Sequence, residues 1–142
     1  MIVLDTNVVS ELMKSAPDAA VARWIADQQA TALYTTSITQ AEVLHGILML
    51  PAGKRRAALE AAAEAMFDKD FGGRVLPFGG DAARAYAQIA AQPRRSGRPI
   101  SNFDAQIAAI SRTARAAVAT RNVGDYDDCG IRVVNPWDAA TP

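Results

Sequence analysis

The sequence predicts an α/β fold: a central parallel sheet of four to five strands, flanked by helices on both faces. Three observations predict it. Ile2, Val3 and Leu4 run straight into Asp5 with no polar residue between them, the pattern of a strand buried on both faces. Short β-branched or apolar runs then alternate along the chain with segments of helical period. Strands separated by helices need crossover connections, and crossovers make neighbouring strands parallel. In such a sheet Asp5 emerges at the carboxyl end of its strand, where parallel sheets place their ligands. An ionised acid left unpaired there is costly, so it demands a cation, a metal or hydrogen-bond donors.

The elements follow in order. Val8 to Met13 reads as a short helix, and Pro17-Asp18 opens a second with Ala22, Ile25 and Ala26 inward. Thr31 to Thr36 is β-branched and aromatic, hence a second strand, ending at Ser37. Thr39-x-x-Glu42 has the spacing of a capping box, and Val43, Leu44, Ile47, Leu48 and Leu50 give the helix behind it an apolar stripe. Pro51 and Gly53 stop that helix. Lys54 to Asp70 is alanine-rich and predicts a long helix closed by Gly72-Gly73. Arg74 to Phe78 is a third strand, its proline suiting an edge. Asp81 caps a helix with Ala85, Ile89 and Ala90 inward, ending near Gln92-Pro93. After a basic loop, Phe103, Ile107, Ile110 and Ala114 recur at helical spacing. Ala116 to Thr120 and Ile131 to Val134 supply the fourth and fifth strands around a polar, turn-rich segment from Asn122 to Gly130.

Composition narrows the function. A chain of 142 residues fits one domain, with a core that needs no disulfide. Fifteen basic residues balance fifteen acidic ones, which argues against coating nucleic acid by bulk charge but allows a local basic patch. The single cysteine, Cys129, cannot form an internal disulfide, and no leader pattern is present, so a reduced cytoplasmic location is expected. No apolar run approaches the roughly 20 residues of a membrane-spanning helix.

Placed on this map, the acids fall into a pattern. Asp5 follows strand one, Glu42 lies in the first turn after strand two, Asp104 opens a later helix and Asp125 follows strand four. Positions of that kind share one rim of a parallel sheet. Four hard oxygen donors without a cysteine suit Mg2+ or Mn2+ rather than zinc or copper, and phosphodiester hydrolysis is the matching chemistry. Each acid also has a structural explanation. Glu42 can close a capping box with Thr39, Asp104 one with Ser101, and Asp125 can be a turn residue. Asp5 is harder to explain away, because an acid directly behind a buried strand has no evident capping role. Glu11 is near enough in sequence to reach the site or merely to cover its helix. His45, one turn after Glu42, reads as an ordinary helix histidine, and Cys129 has no histidine to activate it. Arg94, Arg95 and Arg98 form a loop that precedes Asp104 closely enough to bind RNA phosphates.

The chain resembles PIN-domain ribonucleases, specifically the toxins of VapBC or FitAB type toxin–antitoxin pairs. The resemblance rests on Leu4-Asp5-Thr6-Asn7-Val8, Ser10-Glu11-Leu12, Thr36-Ser37-x-Thr39-x-x-Glu42-x-x-x-Gly46, Asp104-x-x-Ile107-Ala108 and Thr120-Arg121-Asn122-x-x-Asp125-Tyr126, in family order. Val134-Asn135-Pro136-Trp137 resembles the FitB-like branch. The likeness implies a PIN-like fold and a Mg2+- or Mn2+-dependent endoribonuclease. In it Asp5, Glu42 and Asp104 are the core metal-site acids and Asp125 a weaker fourth. It implies that Asn7 and Thr120 support the site, while Asn122 stands where some relatives carry an acid. Arg121, inside a matched segment, joins the candidate RNA contacts. A homodimer and a cognate VapB- or FitA-like antitoxin that blocks the site are also implied, with DNA bound only through the antitoxin. Two other classes remain. A haloacid-dehalogenase-like phosphatase also starts on an aspartate but wants a second acid where this chain has Asn7. A non-catalytic module that binds RNA or protein would need none of the acids.

Overall fold

The structure, a computed structural model, describes residues 1–138. Its central strand is the one the sequence begins with. β1 (Ile2–Leu4) pairs in parallel with β2 (Leu33–Thr36) on one side and β4 (Ala117–Ala119) on the other. β3 (Val75–Leu76) lies outside β2 and β5 (Val133–Val134) outside β4, also parallel, giving the order β3-β2-β1-β4-β5. The fold class is as expected, and β3 is an edge strand. The strands are shorter than their sequence signals, because the flanking residues turn at once into caps and 3-10 turns such as Ala30–Ala32.

Side-chain alternation on the central strands divides the core in two. Ile2 and Leu4, with Leu33 and Ala119, face α1 (Thr6–Leu12), α2 (Ala19–Ala26), α3 (Ser37–Leu48) and α4 (Lys54–Ala65). Val3 and Val118 point the other way, into α5 (Gly80–Ala91) and α6 (Asn102–Thr113). Fully burying a valine or leucine is worth about 1.5–3 kcal/mol, so slipping β1 by one residue would forfeit both clusters together. Thr35 adds a polar rivet, its hydroxyl donating to the Leu4 carbonyl at 3.0 Å.

Local chemistry sets where the helices begin. Asp5 caps α1: its carbonyl accepts from Val8 and Val9 and its side chain from Thr6 N, so it does have the capping role that its place behind a strand had not suggested. Asp18 caps α2 as expected. α3 starts two residues before the proposed capping box. Thr36 is its cap, accepting from Thr39 N at 3.1 Å, so Glu42 stands in the second turn and is not a capping residue. α5 likewise starts at Gly80, with Asp81 inside its first turn. The long helix breaks at a π turn, Met66–Asp70, which turns Phe67 and Phe71 inward with ring centroids 6.2 Å apart. Gly73 then takes φ 74° to bring the chain to β3.

Several inward faces differ from expectation: Leu48 of α3 is 50% exposed and Ala90 of α5 is exposed, and α2 and α6 differ more. In α2, Val21 is buried with Trp24 and Ile25 beside it, while Ala22 and Ala26 are exposed. In α6, Phe103 is 53% exposed, and Ala105, Ala108 and Ala109 fill the interface with Ala82, Ala85 and Ile89 of α5. Small residues let the two helices approach closely, which leaves no room for a phenyl ring at that level.

Candidate active site

The carboxyl edge of the sheet gathers the acids. Asp5 is 5% exposed and held on three sides. Its backbone N–H donates to Ala119 O at 2.9 Å, continuing the ladder one residue past β1. Oδ1 accepts from Thr6 N and Oδ2 from the Thr120 hydroxyl, each at 2.8 Å. Thr120, fully buried, is the hub of this side. Its Oγ1 also accepts from Asn7 Nδ2 and from the Asn122 backbone N–H, both at 3.1 Å, and Asn7 Oδ1 accepts from Arg121 N at 3.1 Å. Asn7 and Thr120 thus lock the orientation of Asp5, while Asn122 contributes through its backbone.

Glu42 reaches the same edge from α3. Its Oε1 accepts from the Thr6 hydroxyl at 2.8 Å, and Thr6 Oγ1 lies 3.0 Å from Thr39 Oγ1. Thr6 therefore touches two acids, Asp5 through its N–H and Glu42 through its hydroxyl. An open groove of about 800 Å³ between α1, α3 and α4 leads to Thr6 and Glu42, with Lys14 and Arg55 on its walls.

Asp104 sits in the first turn of α6, capped by Ser101, whose hydroxyl accepts from Asp104 N at 3.2 Å. Asp125 and Tyr126 come from a 3-10 turn, Val123–Tyr126, just beyond β4. Arg94 pins that turn, its Nη2 donating to Gly124 O and Asp125 O at 3.0 Å each. Tyr126 is buried, with its hydroxyl beside Asp5 but short of full hydrogen-bond geometry. Sealing off a hydroxyl in that way costs about 1–3 kcal/mol.

The electrostatics tie these groups together. Burial raises the pKa of Asp5, against the hydrogen bonds from Thr120 and Thr6 and the nearby Tyr126 hydroxyl, and the charge of Asp125 raises it further. Burial raises Glu42 too, opposed by the Thr6 hydroxyl and aided by the charges of Asp5 and Asp104. Asp104 is raised by burial, then by Asp5 and Asp125, with Ser101 and Arg94 opposing. The acids feel one another, and among the described residues none of Asp5, Glu42 or Asp104 forms an ion pair. A cation would complement them. Among the described residues no three His, Cys, Asp or Glu side chains close into a metal cage. A Mg2+ ion, which keeps several waters and takes one or two carboxylates, fits such an open set of hard oxygens, whereas structural zinc does not.

Residues 2–125 match the family model described as PIN domain. The chain belongs to the PIN domain family. It is 44% identical over 140 residues to the VapC ribonuclease Y4jK of Sinorhizobium fredii (strain NBRC 101917 / NGR234), covering 99% of this chain and 100% of that one. It is 36% identical to the toxin FitB of Neisseria gonorrhoeae (strain ATCC 700825 / FA 1090), covering 96% and 99%. The solved structure of FitAB bound to the IR36 DNA fragment superposes with a TM-score of 0.89 at 36% identity, covering 96% of both chains.

In this PIN domain the remaining candidates separate. Glu11 is engaged elsewhere: Oε1 pairs with Lys14 Nζ and Oε2 accepts from Asp18 N, both at 2.9 Å, so it joins α1 to α2. Those contacts, the Lys14 hydrogen bond first, lower its pKa, opposite to the site acids. Arg95 is paired with Asp128 at 2.7 Å, and Arg94 is spent on the Asp125 turn. Arg98 stays exposed, and Arg121 stacks over the Trp137 ring at 5.0 Å. Thr6, Thr39 and Tyr126 are the residues of the site that sequence reasoning did not single out. For Tyr126 one signal existed, an aromatic residue directly behind an acid in an otherwise polar segment.

Proposed function

We propose that the whole chain is one nuclease domain, a Mg2+- or Mn2+-dependent endoribonuclease acting as the toxin of a toxin–antitoxin pair. The observation that carries this reading is the edge of the sheet where buried Asp5 gathers with Glu42 and Asp104, whose pKa values like its own are raised by burial and by neighbouring charge, and with Asp125, whose charge adds to that field. Asp5 and Asp104 hold the cation, and Glu42 orients or activates the attacking water from the far side of Thr6. The bound cation supplies charge neutralisation at the phosphate and a more acidic water. Asp125 completes the negative field, and Asn7 and Thr120 keep Asp5 in one orientation. The groove beside Glu42 gives RNA a path to the acids.

The relatives support the rest. Their names include a VapC ribonuclease and the toxin FitB, and one solved assembly is FitAB on DNA. We infer for this chain a cytoplasmic homodimer, inhibited by a VapB- or FitA-like antitoxin that covers the site and brings the DNA contact. The test is cleavage of structured RNAs by purified protein in Mg2+ and in chelator, with the ends mapped. Cutting is expected only with the cation, leaving 5′-phosphate and 3′-hydroxyl ends. Equal cutting in chelator would overturn the mechanism.

A further inference from the structure

One polar group of the site takes no part in the chemistry above. Tyr126 is 2% exposed, and its Oη is shut off from solvent, close enough to Asp5 to act on it as a hydrogen-bond donor but short of full hydrogen-bond geometry. The hydroxyl faces the Asp5 carboxylate, with Asp104 and Glu42 near enough for their charges to bear on it. A phenol is a neutral O–H donor at working pH. Asp5 has use for one. A carboxylate offers roughly four lone-pair directions, of which Thr6 N and the Thr120 hydroxyl take two. Arg94 fixes the turn that carries Tyr126 by bonding two of its carbonyls, so the phenol is held where it is. A phenylalanine ring would fill the same space, so packing alone does not explain the hydroxyl.

We propose that Tyr126 is a positioning residue of the cation site: its hydroxyl donates to Asp5 in the cation-bound protein and fixes which lone pair of Asp5 faces the ion. The proposal rests on the metal-dependent reading and deepens it, since groups that hydrogen-bond a metal ligand set its orientation and basicity.

The test is Tyr126→Phe in the full chain, with Mn2+ binding to metal-free protein read by electron paramagnetic resonance of the free ion. The expected result is about a tenfold weaker Mn2+ affinity. The melting temperature of the metal-free variant should equal or exceed that of the parent. RNA cleavage should recover towards the parent rate as Mn2+ is raised, with KM for RNA unchanged. Asp5→Asn is the control that removes the ligand itself. If the parent binds Mn2+, Asp5→Asn does not, and Tyr126→Phe binds as tightly as the parent, the Tyr126 proposal alone is overturned. If the parent binds no Mn2+, the metal reading fails and takes this one with it. Loss of the melting transition in Tyr126→Phe would also overturn the proposal, because the hydroxyl would then be structural.

Discussion

Two groups of carboxylates in this molecule meet opposite fates. Glu11 and Asp128 each have a cation and a backbone N–H to bond, Lys14 and Asp18 N for one, Arg95 Nε and Arg95 N for the other, and their pKa values fall. Asp5, Glu42 and Asp104 have hydroxyl or backbone donors and one another, and their pKa values rise. The first group makes structure: Glu11 joins two helices, and Asp128 holds the basic loop while sitting at φ 64°. The second is held at a standing electrostatic cost. Raised carboxylate pKa values gathered at one edge of the sheet mark Asp5, Glu42 and Asp104 as candidate site acids, apart from Glu11 and Asp128.

The sharpest way to break this division is to neutralise one acid of each kind. Asp5→Asn should lower Mg2+-dependent RNA cleavage by about a thousandfold, since losing a few kcal/mol of transition-state stabilisation at tenfold per 1.36 kcal/mol gives that order. Asp128→Asn should leave cleavage within about twofold, an uncoupled surface change, and lower only the melting temperature, through loss of the Arg95 contacts. Equal loss of cleavage in both variants would end the distinction.

A second test strikes the scaffold of Asp5. Thr120→Val keeps shape but removes the hydroxyl that donates to Asp5 Oδ2 and accepts from Asn7 and Asn122. Metal affinity should fall about 10- to 100-fold, and stability by about 1–3 kcal/mol for the buried groups left unpaired. Titration calorimetry with Mn2+ and thermal melts check both.

These variants also mark how far the sequence could be read. Asp5, Asp104 and Asp125 were legible because strand ends and helix starts are local signals, and a parallel sheet brings such positions to one edge. Glu42 was read as an acid just past strand two, and its competing reading as a capping residue falls away. Its capping-box spacing with Thr39 was coincidental, because Thr36 had already capped α3 and left Thr39 to meet Thr6. The partners of Glu11, left open between the site and its own helix, and of Arg95, read as a candidate RNA contact, were out of sight for a related reason. Arg95 meets its partner 33 residues away, and Glu11 meets Asp18 N across a turn, pairings that no spacing rule displays. Tyr126 was hidden because burial inside a turn-rich stretch depends on where β4 and α6 lie.

The pH dependence of stability offers a subtler test. An acid whose pKa is raised by folding adds stability below its unfolded value and loses it as pH rises through the folded value. For metal-free protein the site acids therefore favour lower pH, in the window above their ordinary 3.8 to 4.5. Glu11 and Asp128 act in the opposite sense, losing their contribution as pH falls through their lowered values. Melting temperature should rise as pH drops through that window towards its lower edge, and fall below it. Glu42→Gln keeps an acceptor for Thr6 and removes one charge, so it should flatten the rise and leave the acid-side fall unchanged. Saturating Mg2+ should do the same at neutral pH by supplying the counter-charge. An unchanged slope in Glu42→Gln would mean that the acids do not share one field.

The smallest expected effect concerns the arginines, which repeat the division in positive charge. Arg95 is committed to Asp128 and Arg94 to the Asp125 turn, whereas Arg98 is exposed and stands in the same loop without an ion pair among the described residues. A cation already satisfied by protein has little to gain from a phosphate, but a solvated one releases counterions when it binds RNA. Arg98→Ala should therefore weaken RNA binding about two- to threefold and reduce the slope of log affinity against log salt by less than about one unit. Its kcat should not change. Arg95→Ala should leave the salt slope alone and show its effect in melting temperature. If the slope instead responds to Arg95 and not to Arg98, the ion pair with Asp128 opens on RNA, and the basic loop belongs with the working charges.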